Sequence, residues 1–63
     1  MNLYRFYFVD AAGGIAHRHP LQLPTKAAAV RVGQHMLAKR GRDRGLEIWH
    51  HDCLVHHQRE TGG

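Results

Sequence analysis

Apolar and polar positions alternate with a period of two along Met1-Asn2-Leu3-Tyr4-Arg5-Phe6-Tyr7-Phe8-Val9, the period of a β-strand. Tyr4, Phe6 and Phe8 fall on one side. Leu3, Arg5, Tyr7 and Val9 fall on the other, which is amphipathic rather than plainly polar, so the strand is expected to have something to do on both faces. Asp10-Ala11-Ala12-Gly13-Gly14 supplies turn formers, with the glycine pair able to take the positive φ of a hairpin. Residues 15–19 read as the returning strand. Pro20 bars that strand from continuing as a central one, and residues 21–24 read as an extended connector. Thr25 then offers a hydroxyl to an orphan amide of a helix N-terminus.

From Lys26 to Arg40 the period lengthens. Ala29, Val32, Met36 and Leu37 recur at helical spacing, with Gly33 between them, which predicts one buried stripe. Glycine costs a helix about 1 kcal/mol relative to alanine, so Gly33 implies close approach to the sheet, over a large ring such as Phe6. Gly41 fits the residue just past the helix, and Lys39 and Arg40 sit where cations favour the helix dipole. Residues 46–50 alternate again, with Leu46, Ile48 and His50 on one side and Glu47 and Trp49 on the other. Taking Asp52-Cys53 as the tip of a last hairpin puts His51 opposite Leu54, His50 opposite Val55, Trp49 opposite His56 and Ile48 opposite His57.

The expected fold is α+β, with order ββαββ. A right-handed crossover between the hairpins gives a four-stranded antiparallel sheet in the order 2-1-3-4, with the helix packed on one face. Residues 1–58 form one small domain and 59–63 a disordered tail. One helix cannot cover both faces, so Arg5, Tyr7, Val9 and Trp49 are expected on an open side, a patch of the kind that marks an interaction surface.

A chain of 63 residues buries only about 60% of its unfolded surface, and its stability is marginal without help. Dimerisation is one such help. An internal disulfide is not, because Cys53 is the single cysteine; a lone thiol suits a reducing compartment, and a cytoplasmic location is expected. No stretch approaches the roughly 18 apolar residues of a membrane span, nor does the N-terminus read as a secretory signal, so no membrane association is expected. Nine Lys and Arg against five Asp and Glu give a formal net charge of +4, which favours anionic partners without specifying one.

The stretches Tyr4-Arg5-Phe6-Tyr7-Phe8-Val9-Asp10, Leu23-Pro24-Thr25-Lys26-Ala27-Ala28-Ala29 and Leu46-Glu47-Ile48 resemble a family of short bacterial domains of unknown function. Its members open on an aromatic-rich strand, pass through a Leu-Pro step into an Ala-rich helix and finish with a hairpin. The likeness spans nearly the whole chain and implies the fold, with no activity attached. The chain departs from that pattern at Thr25, where an acidic residue usually follows the proline, and at Cys53, where glycine usually turns the hairpin. A weaker likeness, at the level of fold, is to HicB-like antitoxin domains, and it implies a nucleic-acid or toxin partner.

His50-His51-Asp52-Cys53 and His56-His57 crowd potential metal ligands into one hairpin. In the register above His50 and His57 face the helix while His51 and His56 face the open side, and a structural zinc site needs four convergent ligands. No metal and no other cofactor is expected. Cys53 beside histidines has no evident oxyanion site, and the glycines at 13, 14, 41 and 45 lack the lysine and helix start of a phosphate loop, so an enzyme is not expected. Two interaction features remain. Lys39, Arg40, Arg42 and Arg44 form a basic loop able to grip phosphates, and Arg5, Tyr7 and Trp49 could stack nucleobases. The leading expectation is a non-enzymatic interaction module, a homodimer joined through the open sheet face, with a further protein partner possible. The alternative is a basic nucleic-acid-binding or antitoxin-like regulator.

Overall fold

The computed structural model describes residues 1–41 and 43–59. Strand β1 (Asn2–Val9) and strand β2 (Ile15–Leu23) precede helix α1 (Lys26–Arg40), and β3 (Gly45–His50) and β4 (Cys53–Arg59) follow it. The strands form one antiparallel sheet in the order β2-β1-β3-β4. The architecture is the ββαββ, α+β arrangement that the two periodicities imply.

Each local signal has a visible partner. The Asp10 carboxylate accepts the amides of Ala12 and Gly14, both at 3.0 Å, while Gly13 takes φ +89°. Thr25 Oγ1 accepts the Ala28 amide at 3.1 Å and opens the helix. Gly41, at φ +70°, closes it. Tyr4, Phe6, Phe8, Leu46 and Ile48 of the sheet and Ala29 and Leu37 of the helix make the core. Val32 and Met36 flank that stripe half-buried, and Gly33 lies at its centre. A Cβ at Gly33 would stand 2.8 Å from Leu46 Cδ2 and 3.0 Å from both Ile48 Cδ1 and Phe6 Cε2. Glycine therefore lets α1 settle onto the Phe6 ring.

Three expectations are corrected. β2 does not stop before Pro20: it runs to Leu23, with Pro20 paired to Arg5 and Leu23 to Asn2. The edge position explains this, since a proline without an amide hydrogen is tolerated where one side of the strand has no ladder to feed. The last hairpin turns at His51-Asp52 rather than Asp52-Cys53, with His50 paired to Cys53 and Trp49 to Leu54. His51 supplies the turn's left-handed residue at φ +56°, a conformation that histidine enters more readily than most non-glycine residues. Beyond Trp49 the pairing shifts, so that Ile48 meets His56 and Glu47 meets His57; Val55 is the extra residue and packs against the core. Finally, β4 includes Arg59, paired with Gly45, one residue past the expected domain end at 58. The rest of the expected tail, 60–63, lies outside the described residues.

The loop after α1 is tied to the core by charge. Asp43, only 5% exposed, accepts a hydrogen bond from Arg40 Nε. The Arg40 guanidinium lies 5.2 Å over the Phe8 ring, a cation–π contact. The Arg44 amide then donates to the Val9 carbonyl at 2.7 Å, which brings the chain into β3. Among the described residues no helix is long and apolar enough to cross a membrane.

Candidate functional site

Strand alternation decides what the uncovered face of the sheet presents. Because Phe6 and Phe8 point into the core, Arg5, Tyr7 and Val9 point away from it, and their cross-strand partners follow. One row across the face runs Pro20, Arg5, Trp49, Leu54. The next runs Arg18, Tyr7, Glu47, His57. A third runs Ile15, Val9, Gly45, Arg59. The four expected residues Arg5, Tyr7, Val9 and Trp49 thus share one surface, and the register adds Arg18 and Glu47, which reading the sequence did not include among the site residues.

This surface mixes rings and aliphatic groups with charge of both signs. Leu3, Ile15 and Leu54 are 43%, 52% and 47% exposed, while Tyr7, Val9 and Trp49 are half-buried. Trp49 Nε1 donates to Glu47 Oε1 at 3.0 Å, which fixes the indole and aligns the carboxylate beside it. Arg5, Tyr7, Arg18 and Pro20 border a shallow depression on the β1–β2 side. Arg5 and Arg18 lie diagonally across that depression, and among the described residues the one ion pair is Arg40–Asp43, elsewhere in the fold. Arg5 and Arg18 thus stand around one tyrosine, with Glu47 opposite that tyrosine on β3 and with no ion pair to either arginine among the described residues.

The other features disperse. His50 and His56 face the helix side, with His50 tilted against Tyr4 at 5.0 Å between ring centroids. His57 pairs with Glu47 on the open face, so the expected placements of His56 and His57 are interchanged by the shifted register. Among the described residues no three of His, Cys, Asp and Glu converge. Of the basic loop, Lys39 and Arg44 are exposed, Arg40 is engaged by Asp43 and Phe8, and Arg42 lies outside the described residues. Lys39 and Arg44 are thus the loop cations with no ion pair among the described residues.

Comparison of the chain with protein-family models, with curated proteins and with solved structures finds no match. The open face is therefore read on its own chemistry.

Proposed function

We propose that the protein is a non-enzymatic interaction module whose partner is a second copy of itself, bound through the open face of the sheet. The observation that carries this reading is the unshared surface bearing Tyr7, Val9 and Trp49 among exposed Leu3, Ile15 and Leu54. The molecule measures 35 by 20 Å across its broad face, of the order of the roughly 800 Å² per partner that a stable interface buries. Two such sheets pack face to face about 10 Å apart, with side chains interleaved. The added burial, at about 25 cal/mol per Å², supplies what a single small core lacks.

Mass measured by sedimentation over a dilution series tests this, with Trp49 emission followed in parallel. A dimer that dissociates on dilution, with the indole becoming more solvent-exposed, is expected; a monomer at every concentration overturns the reading. A second reading, single-stranded nucleic-acid binding, is favoured by Arg5 and Arg18 beside the Tyr7 and Trp49 rings, since phosphates seek arginine and bases stack on aromatic faces. It expects Trp49 emission to be quenched by single strands, with affinity falling steeply as salt rises. Absence of any response at low salt overturns it.

A further inference from the structure

Self-association through this face, if it is two-fold symmetric, must place each residue against a complementary one, because an isologous interface repeats every contact reciprocally. Charge restricts the choice of axis. Arg5 lies on β1, Arg18 on β2 and Glu47 on β3, so the cationic depression and the carboxylate sit on opposite sides of the line between β1 and β3. We propose that the open face is self-complementary about a two-fold axis parallel to the strands over that line, seating Glu47 of each copy in the partner's depression between Arg5 and Arg18. This proposal rests on the self-association reading.

The axis carries β1 of one copy over β3 of the other and keeps each cross-strand row over its own counterpart. Glu47 meets the partner's Tyr7, whose hydroxyl can donate to the carboxylate while the partner's Arg5 and the partner's Arg18 neutralise it. In the adjacent row Trp49 lies over the partner's Arg5, a cation–π pairing made twice, and Leu54 lies over the partner's Pro20. Val9 lies over the partner's Gly45, beside that copy's own Val9. The tilt of strands about such an axis is compatible with the roughly 30° angle of aligned sheet packing.

The competing axes fail on like charges or on reach. Over β1, Arg5 would face the partner's Arg5; over β3, Glu47 would face the partner's Glu47. Like charges brought together across an interface are strongly disfavoured. A two-fold running across the strands lays each strand on its own copy. Glu47 on β3 is then two strands away from the partner's Arg18 on β2, and one carboxylate cannot answer both arginines.

Charge exchange between copies tests the axis. Glu47→Arg and Arg18→Glu are each measured alone and then mixed in equal amounts, with mass read over a dilution series and folding checked by circular dichroism. Each variant alone should raise the dissociation constant by about tenfold or more, since it sets like charges at both symmetric sites. The mixture should recover dimer as a heterodimer, because both contacts between positions 18 and 47 then pair opposite charges and only one of the two contacts between positions 47 and 5 sets like charges together. A wild-type dimer whose variants do not recover on mixing, or one unaffected by Arg18→Glu, overturns the axis and leaves self-association standing. A wild-type monomer removes both. If a charge reversal does not fold, Glu47→Gln and Arg18→Gln are used in a double-mutant cycle: coupled losses support the axis, and additive ones overturn it.

Discussion

Phe6 and Tyr7 are neighbours in the chain, yet Phe6 is fully buried under the helix while Tyr7 keeps part of its ring in solvent. The same sheet carries both, and its two faces solve burial differently. On the helix side the rings of Tyr4, Phe6 and Phe8 share a core with Leu46, Ile48, Ala29 and Leu37, and polar groups enter at the margin, where His50 tilts against Tyr4, His17 lies 6.1 Å from the Phe8 ring and Asp43 holds Arg40 over Phe8. On the open side rings and aliphatic groups alternate with Arg5, Arg18 and Glu47. An unpaired buried charge is expensive. A cover for the open face must therefore bring counter-charges as well as area, whereas α1 needed to bring only shape.

Substitutions can break this contrast in graded steps. Phe6→Ala removes the ring under Gly33 and should cost about 3–5 kcal/mol, a loss in denaturant melts that is the same at every protein concentration. Gly33→Val puts side-chain carbons where Leu46, Ile48 and Phe6 already stand; α1 or these buried side chains must shift, and overpacking of about 1–3 kcal/mol is expected. Unchanged melting of Gly33→Val would show that the helix is not seated on Phe6 as described. At the margin, Asp43→Ala leaves Arg40 without its carboxylate and should cost about 1–2 kcal/mol, moderated by water around the partly exposed guanidinium. High salt should do little to mimic this substitution, because Asp43 is buried.

The smallest effect in dilute solution is the most informative. Trp49→Ala and Leu54→Ser should each change the stability of the isolated monomer by less than a core substitution does, Leu54→Ser by about 0.5 kcal/mol or less. At concentrations where the proposed dimer would form, the same variants should lose additional stability, because binding of a second copy would be linked to folding. Equal losses at both concentrations would place these side chains with the core residues and erase the distinction between the faces.

How far the sequence reaches differs along the chain for physical reasons. The alternation of Tyr4 to Phe8, the cap at Thr25 and the glycines at 33 and 41 are local signals, each satisfied within a few residues or by the nearest packed element. Pro20 misleads because its meaning depends on whether its strand is at an edge, which only the assembled sheet decides. The final hairpin has no Asn-Gly or Asp-Gly to fix its tip, so His51 could take the left-handed position unannounced, and the bulge at Val55 then exchanged the faces of His56 and His57. Four site residues were legible from alternation in single strands. Arg18 was not, because its place beside Tyr7 depends on the pairing of β1 with β2, and the bearing of Glu47 emerges only once the pairing of β1 with β3 sets it opposite Tyr7.

Pro20 has a further consequence for how copies of this chain can accumulate. Strand-by-strand addition at a sheet margin repeats without limit and ends in filaments, whereas a two-fold pairing of faces saturates at two. The β2 margin presents a ring where an incoming strand would look for a hydrogen-bond donor, so polymerisation is discouraged there. Pairing through the open face, as proposed, would therefore be kept from turning into open-ended growth on that side.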